Sequence, residues 1–125
     1  MDLSKLKGKK ILIVEDDETN SELIKEIFYE ADVILIRVIS GVDAVNICHK
    51  EDFNLILMDI QLPEKNGFDA TTEIKKFKPD IPVIAQTAYA FESDKQKAIE
   101  AGCSDYIAKP FRKDELLNMV IKYIN

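Results

Sequence analysis

The feature that constrains this chain most is the regular alternation of short apolar runs with longer amphipathic stretches. Each run is too short for a buried helix, and each is followed by residues with helical periodicity. The runs lie at residues 11–14, 33–38, 55–58, 83–85 and 106–108. Strands that are buried on both faces read as continuous apolar runs. The alternation therefore predicts a parallel sheet covered by helices on both sides.

The stretches between the runs carry apolar residues at three- and four-residue steps, the spacing of one helix face. The predicted faces are Leu23, Ile24, Ile27, Phe28 and Ala31; Ala44, Val45 and Cys48 after Gly41; Phe68, Ala70, Thr71, Ile74 and Phe77; Ala98, Ile99 and Ala101; and Leu116, Leu117, Val120, Ile121 and Ile124. Pro79 and Pro82 are expected to end the third helix, and Gly102 to cap the fourth. The sequence thus predicts an α/β domain with a five-stranded parallel sheet, doubly wound as (βα)5 in three layers.

Charge and length exclude several classes of function. The 125 residues fit one domain, and 23 acidic against 17 basic residues give a formal net charge of -6. A negative surface repels nucleic-acid phosphates, so direct binding of DNA or RNA is not expected. The sequence lacks a long apolar stretch, which predicts a cytoplasmic domain without membrane contact. Cys48 and Cys103 lack the spacing of a metal site or a disulfide framework and are expected to be reduced thiols.

Polar residues follow four of the five predicted strands. Glu15, Asp16 and Asp17 come after the first strand, Asp59 after the third, Thr87 after the fourth, and Lys109 with Pro110 after the fifth. Ligands of doubly wound sheets bind outside the carboxyl ends of the strands. Carboxylates crowded at that edge need a cation, and oxygen ligands of this kind suit Mg²⁺.

Taken one at a time, these residues have ordinary structural explanations. Asp16 or Asp17 is a suitable helix N-cap, and Asp59 a suitable turn residue. Thr87 is a β-branched residue that closes a strand, and Lys109 could be a solvated surface lysine. It is their joint placement at strand ends that favours a site. The peptide bond before Pro110 could be cis or trans, and a cis bond would aim Lys109 inward.

Four motifs in order resemble the receiver domain of bacterial response regulators and hybrid sensor kinases, across residues 9–124. They are IVEDD at 13–17, MDIQLP at 58–63 followed by NG at 66–67, PVIAQTA at 82–88, and DYIAKPF at 105–111. The resemblance implies the CheY-like variant of the flavodoxin fold. It also implies a receiver domain at residues 9–125, after an N-terminal linker or tail at residues 1–8.

The resemblance implies a role for each residue of the expected site. Asp59 would be the phosphoacceptor, and Thr87, Lys109 and the backbone N–H of Ala88 would bind phosphoryl oxygens. Mg²⁺, with Mn²⁺ as an alternative, would be held by Glu15 through water, by Asp16 and Asp59, and by the backbone carbonyl of Gln61. Tyr106 would be the aromatic residue whose orientation follows that of Thr87. Pro63 and Gly67 would shape the loop after Asp59.

The implied activity is phosphoryl transfer from the phosphohistidine of a histidine kinase or phosphotransfer domain to Asp59. The chain would be a signalling domain that catalyses its own phosphorylation and dephosphorylation, switching the surface formed by its fourth helix, fifth strand and fifth helix. The lysine-rich start favours a hybrid histidine kinase as the parent protein. A monomer or weak dimer is expected.

Three alternatives remain. A pseudo-receiver would have this fold and bind partners without phosphorylation. A metal-dependent phosphatase would also form an aspartyl phosphate, but it needs a second carboxylate where Gln61 stands. A flavin-binding domain needs a phosphate loop after the first strand, where Glu15, Asp16 and Asp17 would repel phosphate. Gln61 and Tyr89 depart from the simplest receiver pattern, at positions expected to tune the lifetime of the phosphoryl group.

Overall fold

A computed structural model describes residues 1–88 and 92–124 and contains one five-stranded parallel sheet. Its strands are β1 (Lys10–Val14), β2 (Ile34–Val38), β3 (Leu55–Asp59), β4 (Val83–Thr87) and β5 (Asp105–Ala108). Their order across the sheet is β2-β1-β3-β4-β5. The chain moves outward from β1 to β2 and then returns to the other side of β1. The switch point of the fold therefore lies between the carboxyl ends of β1 and β3.

Helices follow the strands in the predicted alternation. They are α1 (Glu18–Ile27), α2 (Gly41–Lys50), α3 (Gly67–Phe77), α4 (Glu92–Ala101) and α5 (Lys113–Tyr123). Side-chain oxygens cap three of the N-termini: Asp17 accepts from Thr19 N, Ser40 from Asp43 N, and Asn66 from Asp69 N. The predicted α/β fold with a doubly wound parallel sheet is confirmed.

Five residues assigned to helix faces do not lie on a buried helix face: Phe28 and Ile124, which are the C-caps of α1 and α5, and Ala31, Leu23 and Ile99. Ala31 lies beyond α1, because the helix ends at Ile27 and a turn brings Ala31 back against the core. Leu23 and Ile99 lie on helices but are 39% and 57% exposed. A helix covers only part of the sheet, so positions at the margin of an apolar face stay in solvent. The predicted end of α4 at Gly102 is confirmed, since this glycine has a φ of +100°.

The sheet divides the core into two apolar layers. One layer, against α1 and α5, includes Ile11, Ile13, Leu57, Ile84 and Ile107 of the strands. The other layer, against α2 and α3, includes Leu12, Val14, Ile56, Met58 and Val83. Alternate strand residues thus point to opposite faces, and this period of two also fixes the face of each polar residue at the strand ends.

The N-terminal segment, predicted as a linker or tail, carries a residue of the core. A 3₁₀ turn spans Leu3–Leu6, and Leu6 is fully buried in the layer that contains α5. Gly8, with a φ of +73°, donates its N–H to the carbonyl oxygen of Asp32 at 2.7 Å. The segment therefore packs on the body of the fold, and the boundary at residue 9 stays a prediction.

Within residues 1–88 and 92–124, the structure contains no helix with the length and apolar character needed to cross a membrane. Cys48 and Cys103 are free thiols, as predicted. Burial raises the pKa of both thiols to about 11. Both side chains are therefore protonated at neutral pH.

Candidate functional site

The first part of the site is the end of β1, which is joined by its backbone to β2. Glu15 N donates to the carbonyl oxygen of Val38 at 3.0 Å, and Arg37 Nε donates to the carbonyl oxygen of Glu15 at 2.9 Å. Glu15 is fully buried, whereas Asp16 is exposed. Asp17 N donates to Glu15 Oε2 at 3.2 Å, so the loop that starts α1 also holds this carboxylate.

Asp59 ends β3 and is 4% exposed. Gln61 N donates to Asp59 Oδ1 at 3.1 Å, so the next loop fixes one oxygen of this carboxylate. The loop folds closely over the strand end at Gly67. A Cβ at this position would lie 2.3 Å from the carbonyl oxygen of Asp59, which no real Cβ tolerates. A residue without a side chain is therefore required at position 67.

The carboxylates of Glu15, Asp16 and Asp59 come together at the switch point. Each offers an oxygen within 4.8 Å of the other two. Lys109 Nζ lies 3.2 Å from Glu15 Oε1 and 3.2 Å from Asp59 Oδ2. We call these four residues the acid cluster. The peptide bond between Lys109 and Pro110 is cis, which answers the question that the sequence left open.

The charges of the acid cluster are out of balance. Burial, together with the neighbouring Glu15, raises the pKa of Asp59 from 3.8 to about 6. Burial alone would lower the pKa of Lys109, but the charges of Asp59 and Glu15 outweigh it, and the net pKa is raised. The cluster thus holds one lysine and three carboxylates, and the lysine pairs with two of them, Glu15 and Asp59. A hard divalent cation fits this oxygen-rich donor set.

Thr87 and Tyr106 lie on the other face of the sheet. Thr87 ends β4 and is 3% exposed, and its carbonyl oxygen accepts a hydrogen bond from Lys109 N at 2.7 Å. Tyr106 is half-buried against Ile60 and Ala85, and Lys95 Nζ of α4 lies 5.7 Å from the centre of its ring.

Ala88 and Gln61, two further predicted positions, lie in the loops beyond the strand ends. Ala88, whose N–H is expected at the phosphoryl group, follows Thr87 and is exposed. Gln61 donates a hydrogen bond from its backbone N–H to Asp59 Oδ1. Tyr89, expected to tune the phosphoryl lifetime, lies outside the described residues.

Sequence reasoning missed Asn20, whose side chain contacts the acid cluster, and Gln86, whose side chain contacts Asn20. Asn20 Nδ2 of α1 donates to Glu15 Oε1, and it also donates to Gln86 Oε1 at 3.2 Å. Gln86 is fully buried in β4. A signal was present, because a glutamine directly follows the apolar run 83–85 and precedes Thr87.

A comparison with protein-family models finds a match over residues 11–121, to a model described as the response regulator receiver domain. Among characterised proteins, the polar-differentiation response regulator DivK of Brucella ovis is 36% identical over 118 residues. That match covers 93% of this chain and 96% of the relative.

Two solved structures extend the comparison. The receiver domain of a sensor histidine kinase from Pseudomonas aeruginosa PAO1, which has a magnesium ion coordinated in its active site cleft, is 34% identical, with a TM-score of 0.86. The match covers 93% of this chain and 97% of that domain. The receiver domain of Ssk1 from Saccharomyces cerevisiae, crystallised with the histidine phosphotransfer protein Ypd1, is 28% identical, with a TM-score of 0.87. Here the coverage is 94% of this chain and 90% of the other.

Proposed function

This chain belongs to the response regulator receiver domain family, and from that premise we propose that Asp59 is the residue on which it receives a phosphoryl group. The chain is a receiver domain of two-component signalling. One observation carries the assignment to Asp59: this carboxylate lies at the switch point, 3.2 Å from Lys109 Nζ and within 4.8 Å of two more carboxylates. A pseudo-receiver is not favoured, because the acceptor, the lysine and the acidic residues are all present.

Four residues would hold the cation: Glu15 through water, Asp16 and Asp59 directly, and Gln61 through its backbone carbonyl. Mg²⁺ is the expected ion, and the same oxygen ligands also suit Mn²⁺. When bound, the cation supplies positive charge beside the oxygens of the incoming phosphoryl group. The raised pKa of Asp59 supports the assignment, because burial first, and the neighbouring Glu15 second, disfavour the ionised carboxylate, which a bound cation would stabilise.

In the reaction, an Asp59 oxygen attacks the phosphorus of a phosphohistidine, the P–N bond breaks, and an acyl phosphate forms. Lys109 Nζ, already 3.2 Å from Asp59 Oδ2, pairs with a phosphoryl oxygen. The hydroxyl of Thr87 and the backbone N–H of Ala88 donate to other phosphoryl oxygens. Water later attacks the phosphorus, which regenerates the carboxylate and releases inorganic phosphate.

The output is a change of surface at α4, β5 and α5. The phosphoryl group draws Thr87 toward it, and Tyr106 moves into the space that Thr87 leaves. This movement is supported by the positions of the two residues on the same face of the sheet, where Ala85 of β4 is paired with Tyr106.

Histidine kinases or phosphotransfer domains are the proposed donors. The complex of the Ssk1 receiver domain with Ypd1 supports this choice, since it joins a receiver domain of this fold to a histidine phosphotransfer protein. The parent protein is proposed to be a hybrid histidine kinase. The likeness to the receiver domain of a sensor histidine kinase supports that origin, and the likeness to DivK favours a stand-alone regulator instead. We further propose that the receiver domain spans residues 9–125.

The test is the intact mass of the protein after incubation with acetyl phosphate and Mg²⁺. We expect the mass of one phosphoryl group to be gained by the wild type and to be lost with Asp59→Asn or with a chelator. Asp32→Asn, an exposed aspartate away from the acid cluster, is the matched control and keeps the gain.

A gain that survives Asp59→Asn would overturn the assignment of the acceptor. If folded wild-type protein gains no mass from acetyl phosphate, the same test is made with a phosphorylated histidine phosphotransfer domain. Failure with both donors would favour the pseudo-receiver.

A further inference from the structure

A pair of side-chain amides connects the acid cluster to the interior of β4. Asn20 is the third residue of α1, and Gln86 directly precedes Thr87 in β4. The single nitrogen Nδ2 of Asn20 donates to Glu15 Oε1 and, at 3.2 Å, to Gln86 Oε1. One amide therefore contacts both a predicted cation ligand and a residue of the strand that carries Thr87.

The period of the strands places Gln86 directly beside the acid cluster. Ile13, Leu57 and Ile84 belong to one apolar layer, and Glu15, Asp59 and Gln86 each come two residues later. Asp59 and Gln86 are also partners in the register of β3 and β4. Gln86 thus occupies a position where an apolar side chain would continue the core.

Gln86 is an unfavourable residue for the stability of the fold. Its side chain is fully buried, and among residues 1–88 and 92–124 no hydrogen-bond acceptor contacts its Nε2. A buried N–H without a partner destabilises the folded state. In the described part of the chain, the Gln86 side chain forms one hydrogen bond, in which Oε1 accepts from Asn20. This bond is the feature that a replacement of Gln86 would remove.

We propose that Asn20 and Gln86 are positioning residues for the divalent cation, with Gln86 fixing the amide of Asn20 and Asn20 orienting the carboxylate of Glu15. The proposal rests on the cation site of the proposed function. Glu15 Oε1 is contacted by Asn20 Nδ2 and by Lys109 Nζ, which lies at 3.2 Å. Asn20 and Lys109 thus share this oxygen, and the bond from Asn20 fixes the direction in which the Glu15 carboxylate faces the cation site.

The size of the effect on Mg²⁺ affinity follows from the number of contacts that separate each residue from the cation. Replacing a side chain that orients a metal ligand weakens metal affinity by roughly 10- to 100-fold. Glu15 is expected to act through water, so Asn20→Ala should weaken Mg²⁺ binding by about tenfold, at the low end of that range. Gln86 acts through one further hydrogen bond, and Gln86→Met should weaken binding by about threefold.

The experiment measures Mg²⁺ affinity by isothermal titration calorimetry on the complete chain, as wild type, Asn20→Ala, Gln86→Met and the double variant. Urea denaturation of the same proteins in chelator gives their metal-free stability. We expect Gln86→Met to weaken Mg²⁺ binding and yet to stabilise the metal-free fold, because the unpaired N–H is gone. The double variant should bind Mg²⁺ as weakly as Asn20→Ala alone, because Gln86 acts through Asn20.

Two control variants are available on neighbouring elements. Ser21→Ala removes another buried side chain whose Oγ has no partner in the described part of the chain, next to Asn20 on α1. Asn46→Ala removes an exposed asparagine from α2. Within residues 1–88 and 92–124, neither residue forms a hydrogen bond with Glu15, and both variants should keep the wild-type affinity.

Equal Mg²⁺ affinity in wild type and all variants would overturn the positioning role and leave the proposed function standing. A Gln86→Met effect that persists undiminished in the Asn20→Ala background would also overturn it, because Gln86 would then not act through Asn20. Folded wild-type protein that binds no Mg²⁺ and gains no phosphoryl mass would overturn both the proposed function and the positioning role.

Discussion

Replacing Asp59 with asparagine should stabilise this domain when no cation is present. Asp59 is 4% exposed and shares Lys109 with the fully buried Glu15, so its charge is held in an unfavourable environment. Asparagine has nearly the same shape, and its Oδ1 can still accept the hydrogen bond from Gln61 N. The substitution therefore removes the charge and retains the packing.

The raised pKa of Asp59 sets the magnitude of this effect. A rise from the ordinary 3.8 to about 6 corresponds to roughly 3 kcal/mol of lost stability once the carboxyl is ionised. A neutral amide is also costly to bury and forms no ion pair with Lys109. We therefore expect Asp59→Asn to raise the free energy of unfolding by about 1–3 kcal/mol.

The pH dependence of the gain follows from the same shift. Between the unfolded pKa of 3.8 and the folded pKa of about 6, the folded protein binds more protons than the unfolded chain. Wild-type stability therefore falls as pH rises through this window, and the loss is complete above it. The gain from Asp59→Asn should be small near pH ~4, grow through the window and be constant above pH ~6.

Urea denaturation in chelator at several pH values measures the difference between wild type and Asp59→Asn, and Asp32→Asn at an exposed loop position serves as the control. Added Mg²⁺ should raise the free energy of unfolding of the wild type and have much less effect on Asp59→Asn. An Asp59→Asn protein that is no more stable than wild type near pH ~7.5 in chelator would refute the reasoning. So would a gain that is the same near pH ~4.

Three further predictions concern the acid cluster and the packing around it. Lys109→Met should slow the gain of phosphoryl mass from acetyl phosphate by roughly a hundredfold, because the side-chain cation at 3.2 Å from Asp59 is lost; a rate within a few-fold of wild type would contradict this. Gly67→Ala should lower the free energy of unfolding by more than about 2 kcal/mol in urea denaturation, because its Cβ would lie 2.3 Å from the carbonyl oxygen of Asp59. Leu6→Ala should cost about 2–5 kcal/mol in the same assay if the N-terminal segment belongs to the folded body, and Leu3→Ala, at a partly buried position, should cost less.

The sequence was informative where a short residue pattern determines the local structure. Strands that are buried on both faces need continuous apolar runs, so the sheet could be predicted, and so could the strand ends that carry Asp59 and Glu15. Patterns were less reliable at helix margins. Leu23 has the spacing of a buried residue and is 39% exposed, because its position relative to the sheet depends on how α1 packs.

The contact between Asn20 and Gln86 could not be predicted from either segment. The two residues are 66 positions apart, and their hydrogen bond exists only because the fold brings the first turn of α1 beside Gln86. Each has an ordinary local explanation, Asn20 as a polar residue near a helix start and Gln86 as a polar residue at the end of an apolar run. Only the packed structure shows that Asn20 Nδ2 also contacts Glu15. Interactions of this kind depend on tertiary geometry, which local spacing does not encode.

The end of β4 also links the acid cluster on one face of the sheet to Tyr106 on the other face. Gln86 and Thr87 are consecutive, so their side chains point to opposite faces: Gln86 toward the acid cluster and Thr87 toward the layer that contains Tyr106. Thr87 also accepts a hydrogen bond from Lys109 N at 2.7 Å, which joins this strand end to β5. If the backbone at Thr87 shifts toward a phosphoryl group, the backbone of the adjacent Gln86 shifts with it. If Gln86 positions Glu15 through Asn20, cation affinity and the surface at Tyr106 are coupled through two adjacent residues of one strand.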